Sequence, residues 1–331
     1  MSRYVPSEEL VGRVGNGEIP AIARLISRAE AGVPEARGAL AEIYRRAGRA
    51  HVIGLTGVPG SGKSTLVATL TARLRAAGHK VGVVAVDPSS PYSGGAILGD
   101  RIRMTDLVND PGVYIRSMAT RGAVGGLARA ALDAVDILDA GGFETVLIET
   151  VGVGQDEVEI AKASHTTVVV SAPGLGDEIQ AIKAGMLEIA DVHVVSKCDR
   201  SDANRTLTDL KQMLTMGVNL HHGPKPEWQS PVLGVSSYDG RGFDELMDAL
   251  TRHRRVAFDT DTGRRRRMAI ARFRLEKTAE NLLLQRFVAA SAALVPALAE
   301  RLLRQEGDPY SLAGELLAAS FGPHPSERQE A

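Results

Sequence analysis

Gly57-Val58-Pro59-Gly60-Ser61-Gly62-Lys63-Ser64 is the stretch whose reading decides the fold. It matches GxxxxGK[ST], and it falls between a β-branched run, His51–Thr56, and a helical stretch. That strand–loop–helix setting is what the motif requires of a phosphate-binding loop. Glycines let backbone N–H groups turn toward phosphate oxygens, and the positive end of the following helix adds to the attraction. Lys63 is expected to reach the β- and γ-phosphates of a bound triphosphate. Ser64, with Thr65 next to it, is expected to bring a hydroxyl to Mg2+.

Short β-branched runs alternate with helical stretches on both sides of this loop. The expected strands are His51–Thr56, Lys80–Asp87, Val113–Arg116, Thr145–Thr150, Thr166–Ser171, Val192–Ser196 and Val232–Ser236. Alternation of this kind predicts right-handed crossovers and an α/β fold, a P-loop NTPase with a mostly parallel central sheet. Ligands of such sheets gather at the carboxyl ends of the strands. Residues 7–48 have helical apolar spacing without β-rich runs. Beyond about Arg255 strands give way to the basic run Arg264–Arg267 and to further helical pattern. Leu283, Phe287, Ala290 and Leu294 share one face there, and Pro296 breaks or kinks the helix. Another short helix is expected over Ser311–Ala319. Three parts result: an N-terminal helical extension (1–48), a P-loop domain (49–255) and a C-terminal helical arm (256–331).

Composition narrows the classes. The chain has 331 residues and a formal net charge of -1. Nothing global therefore favours nucleic acid or an anionic membrane. No apolar run of spanning length occurs, and the N-terminus lacks a signal-peptide core, which leads to the expectation of a cytoplasmic protein. Aromatic residues make up only 4% of the chain, so aliphatic side chains must build the core. The lone cysteine, Cys198, excludes an internal disulfide and reads as a small filler.

Acids follow the phosphate loop. Asp87 ends a strand and Asp100 lies in Gly99-Asp100-Arg101-Ile102-Arg103-Met104; both are candidates to order Mg2+, directly or through water. A turn residue and a solvated loop acid are the plainer alternatives. Glu149 ends the strand Thr145–Glu149 and opens Glu149-Thr150-Val151-Gly152, the form of a Walker B acid followed by a glycine whose N–H can meet the γ-phosphate. Glu149 could act on the metal's water shell or orient the attacking water. The segment Ser196-Lys197-Cys198-Asp199 resembles the NKxD guanine motif, with Ser196 where asparagine is usual. A carboxylate at Asp199 accepts two hydrogen bonds from the guanine edge, a pair adenine does not offer, so GTP and GDP are the expected ligands. The Lys197 stem packs on the base. A second base loop, with Ser236 and Ser237, is expected at Val235–Gly240.

Taken in order, GVPGSGKST, VDPSSPYSGGAILGDRIRM, ETVGVGQDE, GDEIQAIKAGMLEIAD and the base loop resemble the methylmalonyl-CoA mutase-associated GTPases of the MeaB type, some once described as arginine/ornithine-transport ATPases or kinases. The resemblance spans nearly the whole chain. It implies a homodimeric GTPase joined through the C-terminal helices. Such a protein binds adenosylcobalamin-dependent methylmalonyl-CoA mutase, gates cofactor loading and protects the mutase. It places Lys63 and Ser64 on phosphate and metal, and Asp87, Asp100 and Glu149 around the metal and hydrolytic site. It makes Gly176–Lys183 a nucleotide-sensing segment reporting through Gln180 and Lys183. Ser196 and Ser237 depart from the family's usual asparagine and alanine, which bears on base affinity. Arg101, Arg103 and Arg121 are candidate arginine fingers. A metal-inserting GTPase, for which His221-His222 are the only adjacent histidines, and a nucleotide-dependent kinase are the alternative functions.

Overall fold

The computed structural model describes residues 4–87, 107, 109–119, 126–150, 156–174, 188–219 and 227–321. The chain divides into two compact units, Met1–Arg274 and Leu275–Ala331. In the first, strands β1 (His51–Thr56), β2 (Val81–Asp87), β3 (Val113–Ala119), β4 (Thr145–Thr150), β5 (Thr166–Ser171), β6 (Val192–Val195) and β7 (Val232–Gly234) form a sheet of order β3-β2-β4-β1-β5-β6-β7. Every pairing is parallel. Central strands buried on both faces read as apolar runs, which is why Val81–Val86 and Val168–Val170 are legible as strand.

Successive residues point to opposite layers. Val52, Val84, Val86, Val146 and Ile148 meet one helical layer, while Ile53, Leu55, Val83, Leu147, Val168 and Val170 meet the other. The first layer is built from α1 (Ser7–Gly15), α2 (Ile19–Glu30), α3 (Ala36–Arg46) and α5 (Gly126–Ala140), and the second from α4 (Lys63–Ala76) and α8 (Phe243–Asp259). The shorter α6 (Asp156–Ala163) follows β4, and α7 (Ala203–Asn219) precedes β7. Leu10, Ile22, Leu25, Ile26 and Ile43 of α1–α3 share a core with Ala134, Ile137 and Leu138 of α5. Packing thus groups the N-terminal helices with the sheet and draws its boundary at Arg274, inside α9 (Asp261–Ser291).

A buried carboxylate fixes the entry from α3 into β1. Asp139 Oδ2 accepts the backbone N–H groups of Gly48 at 2.7 Å, Arg49 at 2.9 Å and Ala50 at 3.0 Å. At the other end of the unit, Arg274 pairs with Asp133 at 3.3 Å and with Asp136. Burial pushes the Asp133 carboxyl up to about 6 even so.

A polar network binds α8 and α9 to the amino edge of the sheet. Thr166 Oγ1 lies 2.7 Å from His51 Nε2 and 2.8 Å from His253 Nδ1. His253 Nε2 and the Arg266 guanidinium each stand 3.3 Å from Asp191. Arg266 also donates to the carbonyls of Ser164 and Ala161 at 3.1 Å. It is therefore a strut that ties α9 to the sheet.

The second unit contains the remainder of α9, α10 (Val295–Leu303) and α11 (Pro309–Phe321). Pro296 sits in the first turn of α10, where a missing N–H costs nothing, so the expected break separates two helices. Arg301 pairs with Glu315 at 2.6 Å, and the Phe287 and Phe321 rings stack with centroids 6.3 Å apart. Leu283, Val288, Leu303 and Leu317 remain exposed. No single described helix is long and apolar enough to cross a membrane.

His193, on β6, is 1% exposed, and neither ring nitrogen makes a hydrogen bond to a described residue. Burial pulls its pKa down to about 4. As pH falls from about 6.5, the unfolded chain takes up this proton first, so stability drains away toward pH 4. His193→Leu removes a buried group with unmet polar demands. The variant should be at least as stable as wild type at pH 7 and should lose less of its urea midpoint between pH 6.5 and pH 4. A wild-type pH dependence retained in full by His193→Leu would refute this.

Candidate nucleotide site

β1 lies between β4 and β5, so its carboxyl end opens at the centre of the sheet. Gly57 leaves the strand with φ 144°, pressed against β5: a Cβ there would lie 2.0 Å from the Val170 carbonyl oxygen. Only glycine fits. Gly62 caps α4 in the left-handed region, at φ 86°. The first four N–H groups of a helix have no acceptor within it, so the start of α4 presents donors and a positive dipole end to an anion.

Lys63 is buried at this turn. Its ammonium donates to the carbonyls of Gly57 at 2.7 Å and Val58 at 3.0 Å. Those contacts hold the lysine inside the loop that is to receive phosphate. Ser64 Oγ donates to Glu149 Oε1 at 2.6 Å. The sheet register explains the meeting, because Glu149 is paired with Leu55 of β1, two residues before Gly57. A buried carboxylate and a helix-terminal hydroxyl form an all-oxygen donor pair, which fits Mg2+. Such an ion would supply charge neutralisation to the phosphates.

The base loop is tied directly to the phosphate loop. Ser196, buried after β6, donates from Oγ to the Ser61 carbonyl at 2.5 Å. Lys197 adopts φ 54° and reaches back with Nζ to the Gly60 carbonyl at 2.9 Å. Asp199 is exposed beyond them. The neighbouring loop joins through Cys198 N–H, which donates to the Val235 carbonyl at 3.0 Å. Ser236 is fully buried and Ser237 half-buried. Val58 is half-buried, and Pro59, Gly60 and, in the first turn of α4, Thr65 are exposed.

Gly57–Thr65, Glu149, Ser196, Lys197, Asp199, Ser236 and Ser237 therefore all lie at the carboxyl ends of β1, β4, β6 and β7 or at the start of α4. Asp87 ends β2 two strands from the loop, with its side chain outside the described part. Asp100, Gly152, Gln180, Lys183, Arg101, Arg103, Arg121, His221 and His222 lie outside the described residues. The braces from Ser196 and Lys197 to loop carbonyls have no signal in the motif, since a motif records residue types and not bond directions.

The parallel sheet and the glycine-rich turn beneath α4 define a P-loop nucleotide hydrolase. Residues 22–292 match the family described as methylmalonyl-CoA mutase-associated GTPase MeaB. The chain belongs to that family and is a GTPase that binds GTP and GDP. Among its relatives is a putative GTPase of Pyrococcus horikoshii, 41% identical over 96% of this chain and 99% of the relative. Another is GTPase ArgK of Escherichia coli, 35% identical over 73% of this chain and 74% of the relative. The crystal structure of an LAO/AO transport system kinase shares the fold over 100% of both chains, with a TM-score of 0.71 and 24% identity.

Ser196 acts here as a clasp between the two loops. Ser196→Ala should leave the Ser61 carbonyl without that donor and loosen the phosphate loop. A single lost hydrogen bond of about 1 kcal/mol corresponds to roughly five-fold weaker binding of both GDP and GTP. Calorimetric titration checks this; unchanged affinity would show that the clasp adds nothing to nucleotide binding.

Proposed function

We propose that this GTPase is a chaperone of adenosylcobalamin-dependent methylmalonyl-CoA mutase, gating cofactor loading and protecting the loaded enzyme. The observation that carries the reading is the family match across residues 22–292, in a family described by its association with that mutase. Further support comes from a mouse relative, a mitochondrial methylmalonic aciduria type A homolog, 38% identical over 60% of this chain and 48% of the relative.

Hydrolysis follows from positioning and charge. Lys63 and the N-terminus of α4 neutralise phosphate charge, and Asp199 selects guanine at its edge. Ser64 and Glu149 would hold Mg2+, with Asp87 and Asp100 contributing to its surroundings. Glu149 would also orient the attacking water. Gly152 offers its N–H to the γ-phosphate, and Gln180 and Lys183 carry the nucleotide state to the partner. Two copies assemble through the second unit, whose Leu303 is 84% exposed beside other apolar side chains. An apolar surface of that kind favours burial against a second copy. The cytoplasm, a reducing compartment, suits the single free thiol of Cys198.

Addition of purified mutase should raise GTP turnover and yield a complex on a sizing column. Lys63→Ala should lower turnover by about 100-fold while retaining the fold. Turnover unchanged by mutase, with no complex in any nucleotide state, would sink the chaperone reading and leave the GTPase intact.

A further inference from the structure

The turn between β7 and α8 displays a tyrosine that nothing inside the protein explains. Tyr238 is 92% exposed. Aromatic residues are scarce in this chain, at 4%, which makes an unburied ring a costly use of one. Exposed aromatics on mobile loops are common, but this turn is fixed from within. Ser236 donates its N–H to the Arg241 carbonyl at 3.0 Å and accepts from Gly240 N–H at 2.9 Å. Its hydroxyl oxygen faces the N–H groups of Tyr238 at 3.3 Å and Asp239 at 3.5 Å. Asp239 pairs with Arg241 at 3.0 Å. Gly242, at φ 77°, is pressed so close to β7 that a Cβ would lie 2.0 Å from the Gly234 carbonyl oxygen.

The turn is also joined to the base loop. Val235, next to Ser236, accepts the Cys198 N–H, and Asp199 follows Cys198 directly. Lys197 stretches from this loop to the Gly60 carbonyl, so its aliphatic stem covers one side of the space between them. The edge of a base held there meets Asp199. The turn that carries Tyr238 adjoins this loop through the Cys198–Val235 hydrogen bond.

We infer that Tyr238 is a base-binding residue that stacks on the exposed face of the guanine base, completing a clamp whose other jaw is Lys197. The inference rests on guanine-nucleotide binding and is independent of mutase association. An aromatic ring is well matched to a base, because it offers a broad apolar face at low conformational cost, with two χ angles to fix. Base–aromatic stacking recognises the π-face of any base, so it strengthens binding without choosing among bases. Discrimination stays with the edge contacts of Asp199.

Calorimetric titration of the full-length chain with GDP and with inosine diphosphate tests the clamp, because hypoxanthine keeps the stacking face and loses the exocyclic amine. Tyr238→Ala should weaken both ligands by the same factor, about ten-fold. It should raise the KM for GTP and leave kcat at saturating GTP unchanged. Tyr238→Phe, which keeps the ring, should bind as wild type does. Unchanged GDP affinity in Tyr238→Ala overturns this inference alone, as does an equal loss in Tyr238→Phe or a fall in kcat without a rise in KM. A wild-type chain with no preference for GDP over ADP overturns the guanine reading, and this inference with it.

Discussion

The nucleotide end of the molecule depends on one close approach, that of Gly57 to the β5 backbone. A single added carbon at Gly57 would collide with the Val170 carbonyl oxygen at 2.0 Å. The contact forces the chain to leave β1 low against the sheet, so the loop must rise over its own residues to start α4. That path brings the Gly57 and Val58 carbonyls onto the Lys63 ammonium. It also delivers Ser64 to the end of β4, where the register has already placed Glu149. Loop shape, lysine position and the hydroxyl–carboxylate contact are thus consequences of one steric limit within a parallel sheet.

Much of this is legible in the sequence, and the reason is physical. Strands covered on both faces are apolar through their middle, so β1, β2, β4 and β5 stand out by their aliphatic centres, with polar residues confined to their ends. The phosphate loop is local, and its spacing encodes its geometry. Long-range polar contacts leave no such trace. Asp139 satisfies Gly48, Arg49 and Ala50 across 91, 90 and 89 residues of chain, and no periodicity marks it. Arg266 is similar: within Arg264–Arg267 the sequence distinguishes none of the four, yet Arg266 reaches Asp191 and the carbonyls closing α6. Ser196 reads in the motif as a weakened asparagine at the base. Its bond to Ser61 turns it toward the phosphate loop, because a shorter side chain reaches the nearer backbone.

The division of the chain follows from the same distinction between local pattern and distant contact. Helical periodicity separates residues 7–48 from the sheet along the sequence, whereas their apolar faces find their complement on α5, about a hundred residues later. Leu10, Ile22 and Ile43 could not be buried by α1–α3 alone; the helices need the face of α5 to become a layer. At the other boundary, Arg274 is held by two carboxylates of α5, and the next residue, Leu275, begins the second unit. One helix, α5, therefore anchors both the entry to β1 and the exit toward the second unit.

Opposite ends of the sheet carry different kinds of polar order, and the difference bears on how the protein works. At the amino edge, Thr166, His51, His253, Asp191 and Arg266 satisfy one another with hardly an exposed group among them. Burial and neighbouring cations hold His51 well below its usual pKa, which keeps the ring neutral and the network uncharged at that point. A network of this type rigidifies, since breaking one member strands the others in a low dielectric. At the carboxyl edge, Lys63, Lys197 and Ser196 instead bond to carbonyls of the phosphate loop. Ammonium groups held by carbonyls keep their charge and so retain attraction for an anion. The fold thus fixes β1, β5 and β6 to one another through side chains at one end, and ties the loops to one another through their carbonyls at the other.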